Sequence, residues 1–324
     1  MKKKVLFLEG HKDQAKSIAE FLKLSGEYTL FYTEATVIDN PEDYDVIVPS
    51  GADSTSDFIS RYGDLTIGQI TYSKSNLRAF NKILAIDLVK SVGVPVPLTY
   101  LDKSQVKLFP VFYKSLKEQG YAKRGIIRNE LDLMAMDDDD VFFQEFIWSK
   151  GTYSVGFLAD RGKVILTFPQ KELLSYPYHG GSGVILQRYE DRRLIEYTER
   201  IVEVFNYSGW GLTEFKYCTK RDDYVFMELN AKFWASLKFA FENKPEFLEY
   251  LFGLKFKAKH VDSVIYIDRV ILSDWEEIRQ SIPYLFKSQW VKSQSILKVI
   301  WKRIKNDREG RRTIKMMSPQ FATV

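Results

Sequence analysis

The 324-residue chain contains a single cysteine, Cys218, and only three histidines, His11, His179 and His260. One thiol excludes an intramolecular disulfide framework and a cysteine-built zinc site, and it suits a reducing cytosol. The histidines are scattered without the spacing of a metal site or a catalytic triad. No run approaches the roughly 18 apolar residues that a membrane-spanning helix needs. The start, Met1-Lys-Lys-Lys-Val-Leu-Phe-Leu-Glu9, is basic but too short in apolar residues for a signal peptide, and reads as a first strand. A soluble, cytoplasmic protein is expected. An excess of one charge is also lacking: 47 basic against 43 acidic residues leave a net charge of +4, which gives no argument for a nucleic-acid partner.

Several common motifs are missing as well. No Gly-x-Gly-x-x-Gly follows the first strand, which argues against a dinucleotide site there. Gly120-Tyr-Ala-Lys-Arg-Gly125 has the glycine spacing of a phosphate-binding P-loop, but Ile126 and Ile127 stand where Lys and Ser or Thr are required. Gly180-Gly-Ser-Gly183 is not a nucleophile elbow, which needs Gly two residues before and after the Ser. There is no internal repeat and no low-complexity stretch.

What is present is a chain that is 45% apolar, with 23 Phe, 19 Tyr and 6 Trp, enough to bury sizeable cores in two or three packed units. Val5–Leu8, a helix around Ala15, Ile18, Phe21 and Leu22, and strands at Tyr28–Tyr32 and Tyr44–Pro49 predict a small parallel α/β unit. Asn76–Val92 predicts a helix with Leu77, Phe80, Leu84 and Leu88 on one face, ended by Gly93 and by Pro95 and Pro97. Strand signals follow at Leu108–Tyr113, Gly125–Ile127, Val141–Ile147, Tyr153–Ala159 and Val164–Phe168, and a helix at about Asp191–Phe205. The run Asp137–Asp140 reads as a solvated, self-repelling loop. Between Lys287 and Lys315, ten Lys or Arg face only Asp307 and Glu309, around an apolar stripe of Ile296, Leu297, Ile300, Trp301 and Ile304. Such a helix either docks on the protein's own core or makes weak peripheral contact with an anionic membrane surface.

The most informative pair is Glu214, in Gly211-Leu-Thr-Glu-Phe-Lys-Tyr217, and Glu228, in Met227-Glu-Leu-Asn230. Alternating segments around Thr219–Asp223 predict a β-hairpin that is symmetric about Arg221, with Glu214 opposite Glu228. Glu214, Lys216, Glu228 and Asn230 then share one face, and Thr213, Phe215, Tyr217, Val225, Met227 and Leu229 the core face. Two like charges about 5 Å apart destabilise a sheet unless something neutralises them. A hard divalent cation would do so; so would Lys216 and solvent on an ordinary exposed face.

Taken with Lys82, Lys114, Gln144 and Glu145, the ordered set resembles the ATP-grasp superfamily, most closely its carbamoyl-phosphate-synthase and biotin-carboxylase-like branch. The matching segments are Lys82 followed by Gly93-Val-Pro-Val-Pro97; Phe109-Pro-Val111 with Lys114; Gln144-Glu-Phe-Ile147 with Gly151-Thr-Tyr-Ser-Val155; Glu214; and Met227-Glu-Leu-Asn-Ala-Lys232 with Phe233-Trp-Ala-Ser-Leu237. They cover roughly residues 75–250. The resemblance implies an α/β (α+β) ATP-grasp fold: an N-terminal parallel α/β pre-ATP-grasp domain at 1–75, a nucleotide-binding region at 76–260 with a small lid at about 100–145 and a larger subdomain at about 146–260, and a basic, helical C-terminal extension at 261–324.

The resemblance also implies roles. Lys82 and Lys114 hold nucleotide phosphates, Gln144, Glu145 and the backbone of Ile147 read the adenine edge, and Glu214, Glu228 and Asn230 ligate one or two Mg2+ ions, with Mn2+ as a substitute. Lys232 contacts the transferred phosphoryl group. The implied activity is an ATP-dependent ligase that joins a small-molecule carboxylate to an amine or thiol, alone or as a homo-oligomer. His179-Gly-Gly-Ser-Gly183 is then either a segment closing over an acyl phosphate or a plain connection. The chain departs from the family's pattern in a phosphate loop, Lys114–Gly125, with two glycines, where Lys123 and Arg124 supply charge instead. It also has Thr152 at the ribose contact and Lys232 where the family has Arg, without the bidentate fork. These departures leave open a non-catalytic nucleotide-binding or regulatory protein.

Overall fold

The computed structural model describes residues 2–116, 123–136, 140–149, 151–176, 182–291, 300–301 and 305. The middle of the Lys114–Gly125 loop, Asp137–Asp139, His179–Gly181 and most of 292–324 lie outside the described residues. The chain forms two compact units, Met1–Leu173 with Gln187–Val261, and Leu174–Leu186 with Asp262–Val324.

The first unit opens with β1 (Lys3–Leu8), α1 (Asp13–Ser25), β2 (Tyr28–Tyr32) and β3 (Val46–Pro49), a parallel sheet of order β2-β1-β3. The central strand is apolar because both its faces are covered. α2 (Ala52–Tyr62) and an antiparallel hairpin, β4 (Leu65–Ile67) and β5 (Ile70–Tyr72), follow. Neither was anticipated: the α2 stretch is polar apart from a few positions, and each hairpin strand has only three residues.

The helix expected over Asn76–Val92 is interrupted. Lys74–Phe80 forms a 3-10 helix, Asn81 accepts the Leu84 N–H at 3.1 Å, and α3 runs from Lys82 to Ser91. A side-chain acceptor at Asn81 ends one helix and caps the next, which resets the phase of the buried face. Ala85, Ile86 and Val89 are buried and Leu84 is exposed, so the leucines do not form the predicted stripe. Lys82 is thereby the first residue of α3 and does not lie inside the continuous helix expected over Asn76–Val92. Gly93, with φ at +74°, takes the chain out of α3 as expected.

Next come β6 (Thr99–Tyr100), β7 (Val111–Ser115), β8 (Arg124–Ile127), α4 (Glu130–Met134) and β9 (Val141–Glu145). The four strands pair antiparallel in the order β6-β9-β7-β8. One face buries Val111, Ile127, Val141 and Phe143 against Val106 and Leu133. β10 (Thr152–Asp160), β11 (Lys163–Tyr176), β12 (Ser182–Arg188), α5 (Arg192–Val204), β13 (Gly209–Cys218) and β14 (Asp223–Asn230) follow, then α6 (Leu237–Asn243) and α7 (Glu246–Phe252). Within this unit the larger sheet has the antiparallel order β14-β13-β10-β11. α5, capped by Asp191, lies on one face, where Thr198 meets the Thr213 hydroxyl at 2.8 Å and Tyr197 meets Phe215.

The second unit holds the end of β11, most of β12, and β15 (Ser263–Tyr266), α8 (Ile267–Leu272), α9 (Trp275–Leu285) and β16 (Gln289–Val291). β15 and β16 pair in parallel, and the Ser263 and Ser288 hydroxyls meet at 2.8 Å. Arg269 lies over the Tyr266 ring at 4.1 Å and donates to the Gly183 carbonyl.

The stretch after β14 returns across the sheet face opposite α5. There Trp234 fills the space above Gly156: a Cβ on that glycine would stand 2.4 Å from the indole. The indole is buried and packs edge-on to Phe247, so it has no room to retreat. Gly156→Ala is therefore expected to lower stability by about 1–3 kcal/mol, read as a fall in unfolding midpoint. An unchanged midpoint would mean that Trp234 is free to move.

Candidate functional site

Glu214 and Glu228 are cross-strand partners, as the hairpin symmetry predicts. Below them the alternation breaks: Phe215 faces Phe226, Lys216 faces Val225, and Met227 is the extra residue of a β-bulge. The bulge corrects the predicted core face. Phe226 and Tyr224 lie with Phe215 and Tyr217, while Val225 turns to the carboxylate side. There Val225 packs with Ile147 and Cys218, with half-buried Met227 against them. An apolar cluster thus borders the acidic pair, on the face that the sequence marked as wholly polar.

The repulsion between the two carboxylates is met by cations from separate elements. Lys82 places its Nζ 3.9 Å from Glu228 Oε1. Burial alone would raise the Glu228 pKa, but Lys82, Lys114, Lys232 and Arg124 outweigh it and hold the carboxyl below the usual range. Asn230 donates its amide N–H to Glu214 Oε1 at 3.2 Å, and Lys232 donates to Asn230 Oδ1 at 2.9 Å. Lys216, whose pKa is lowered by burial, is drawn back up by Glu172 and Glu214. Sequence reasoning put Lys216 on this face and offered it, with solvent, as one way to relieve the carboxylate pair; here it is half-buried. Ser154 aligns with Glu214 on the neighbouring strand and bonds Gln170, which also holds Ser236. That polar row depends on registers between distant strands, and no local signal reveals it.

Lys114 reaches the same cluster from the four-stranded sheet. It donates to the Met227 carbonyl at 3.2 Å, at the bulge where the extra residue interrupts the ladder. Desolvation, reinforced by Lys82 and Lys216 and opposed by Glu228 and Glu214, lowers its pKa from 10.5 to about 8. Lys123 is exposed, and its N–H donates to Ser115 Oγ at 2.7 Å; Lys123 is the last residue of the loop that is described before β8.

The hinge residues are placed at the end of β9. Gln144 shares a sheet face with Phe112, Phe142 and Lys114. Its amide is fully buried and donates to Thr99 Oγ1 at 3.3 Å. The Glu145 carboxylate accepts from the Leu98 N–H at 3.0 Å and pairs with Arg221 at the hairpin tip. Glu145 is thus engaged in holding the hinge, whereas Gln144 Oε1 is buried with no hydrogen-bond partner among the described residues. Among the described residues, no group of three or more His, Cys, Asp or Glu side chains is gathered as a metal cluster. The oxygen donors brought together are the two carboxylates and the Asn230 amide.

The low Lys114 pKa sets a testable sign. The unfolded chain keeps that proton up to the ordinary lysine range while the folded chain releases it from about pH 8, so this group makes stability rise with pH across that window. Isotope-edited NMR of the lysine ε-carbons is expected to show Lys114 titrating near pH 8. Removing the facing anion in Glu228→Gln is expected to shift it further down. A Lys114 titration in the ordinary range would overturn this electrostatic picture.

No protein-family model matches the chain, and no curated protein sequence matches it. Solved structures do. The chain superposes on biotin carboxylase from Campylobacter jejuni, in its β-γ-ATP complex, with a TM-score of 0.59 at 15% identity, covering 80% of this chain and 73% of that one. It superposes on N5-carboxyaminoimidazole synthase from Aspergillus clavatus, solved with ADP and 5-aminoimidazole ribonucleotide, with a TM-score of 0.57 at 14% identity, covering 80% and 78%. Pyruvate carboxylase from Rhizobium etli matches at 0.57 and 16% identity, over 76% of this chain but only 28% of that much longer one. At these identities the likeness is one of fold: the chain has the mixed α/β ATP-grasp fold.

Proposed function

We propose that the protein is an ATP- and Mg2+-dependent ligase that activates a carboxylate as an acyl phosphate for attack by an amine or thiol. The observation that carries this reading is the Glu214–Glu228 pair, set in an ATP-grasp fold and ringed by Lys82, Lys114, Lys232 and Arg124. Cations outnumber anions there, which suits a polyphosphate ligand.

The residues present fit a hard divalent cation, since two carboxylates and an amide supply only oxygen donors. Glu214, Glu228 and Asn230 would hold Mg2+, or Mn2+, and the ion would neutralise charge on the phosphates when bound. Lys82 and Lys114 bind phosphate oxygens, and the Lys114 ammonium leaves the Met227 carbonyl to do so. The hinge backbone from Gln144 to Ile147 orients the base, with half-buried Met227 as its apolar contact. In the first step a carboxylate oxygen of the substrate bonds to the γ-phosphorus as the bond to the β-γ bridging oxygen breaks, releasing ADP. Lys232 stabilises the charge on that phosphoryl group. In the second step the amine or thiol attacks the acyl carbon, loses a proton and expels phosphate. Glu145 acts at a distance, by tying the hinge to the hairpin through Arg221. A cytoplasmic setting accords with the single buried thiol.

ADP and phosphate release, measured against pools of carboxylates with amines or thiols, is expected to require both substrates and Mg2+. Glu228→Gln and Lys232→Ala are each expected to lower turnover by about a hundredfold or more, while the fold, checked by circular dichroism, is retained. Full turnover by Glu228→Gln would refute the site. Stabilisation by nucleotide without any release would favour the non-catalytic reading that the glycine-poor phosphate loop suggests.

A further inference from the structure

Lys232 stands in a stretch that belongs to neither a strand nor a helix: β14 ends at Asn230 and α6 begins at Leu237. Its side chain is half-buried, and its neighbours Ala231 and Phe233 are buried. Buried carbonyls outside a ladder need donors from elsewhere. Both donors come from the N-terminal part of the chain. The Tyr72 hydroxyl, on β5, donates to the Ala231 carbonyl at 2.6 Å. The Gln14 amide, on α1, donates to the Phe233 carbonyl at 3.3 Å. The backbone is thus held from outside on each side of Lys232.

Both donors are firmly mounted. Tyr72 is fully buried, edge-on to Tyr207 at 6.1 Å and tilted against Trp210 at 5.2 Å. Gly209 leaves it room, since a Cβ there would stand 2.8 Å from the Tyr72 ring. The same Trp210 stacks on Phe233 at 4.4 Å, with the rings 4° from parallel, so Tyr72 braces both neighbours of Lys232. α1, which carries Gln14, is tied to α6 by Lys238 on Glu20 at 2.7 Å and by Phe21 edge-on to Phe241 at 5.6 Å.

The chemistry gives this bracing a use. A lysine has no planar fork to fix its approach to a phosphoryl group; it is a compact charge on a flexible stem. Its placement therefore depends on where the stem is rooted, and a group acting on a reacting centre has to stay within about half an ångström of the productive geometry. The Nζ end of Lys232 is held by Asn230 Oδ1 at 2.9 Å. The backbone end is held by Tyr72 and Gln14. We infer that Tyr72 and Gln14 are positioning residues that root Lys232 for its contact with the transferred phosphoryl group. Both act through Lys232, and the inference rests on the role proposed for that lysine. α1 and the β4–β5 hairpin then help to build the phosphoryl end of the site.

A double-mutant cycle separates positioning from a purely structural duty, in which each bond only satisfies a buried carbonyl. Tyr72→Phe and Gln14→Met each delete the donor and keep most of the side-chain volume, and half-buried Gln14 gives a folded variant even if Tyr72→Phe does not fold. ADP release is measured with the carboxylate and nucleophile that give most release in the wild type. Each substitution is expected to lower kcat about tenfold and to leave the KM for Mg-ATP within about twofold, because the hinge, Lys82 and Lys114 are untouched. In a Lys232→Ala background neither is expected to lower kcat further. Equal losses in both backgrounds, or a loss confined to KM, would overturn the inference. A second readout needs no turnover: isotope-edited NMR of the lysine ε-carbons in the ligand-free protein, with the Lys232 signal identified by its loss in Lys232→Arg. Both substitutions are expected to move or broaden that signal. An unchanged Lys232 signal in both variants would overturn the inference whatever the turnover. A moved signal in a protein that releases no ADP with any pool would uphold the bracing of Lys232 and count against the ligase reading instead.

Discussion

The structure around the site turns on one electrostatic constraint: two carboxylates held opposite each other on adjacent strands. Glu214 and Glu228 cannot both be charged at that separation without counter-charge, and the chain brings it from several directions. Lys82 comes from the start of α3, Lys114 from β7, Arg124 from β8, Lys216 from β13 and Lys232 from beyond β14. Two of these cations, Lys114 and Lys216, are themselves disfavoured by burial, as their lowered pKa values show. The cluster is a mutual accommodation in which no single pair is optimal, an arrangement ready to be reorganised by a polyanion.

That arrangement depends on a stiff surround. Trp234 stands over Gly156, and Ser236 is bonded to Gln170, so the segment carrying Lys232 lies against the sheet. On the other side of the hinge, Glu145 and Arg221 join the end of β9 to the hairpin tip, while the Pro95 carbonyl accepts the Phe226 N–H at 2.8 Å. The link from α3 to the four-stranded sheet is thereby stitched to β14. Lys114 is delivered to the acidic pair by a sheet anchored to the same hairpin that carries the pair.

Much of this was legible in the sequence because the signals were local. The parallel N-terminal unit, the Glu214–Glu228 register and the helix capped by Asp191 follow from periodicity and turn residues close in the chain. The misreadings have equally local causes. Asn81 looked like an ordinary helical residue, yet its side chain competes for a backbone N–H and splits the helix that carries Lys82. The bulge at Met227 is invisible to a strict alternation rule, which therefore put Val225 on the wrong face. What could not be read at all is what depends on distant registers: Ser154 beside Glu214, Arg221 against Glu145, and the pairing of Lys114 with a backbone carbonyl of another sheet.

Met227 adds nothing to strand register. A hairpin one residue shorter would still align Glu214 with Glu228 and Phe215 with Phe226. What the additional residue supplies is an acceptor directed away from its own ladder, and the ammonium of Lys114 occupies it. Deleting that residue would leave the ladder regular and the lysine without its resting place. The permitted length of this β-hairpin is therefore governed by a cation on a different sheet, and not by the turn at its tip.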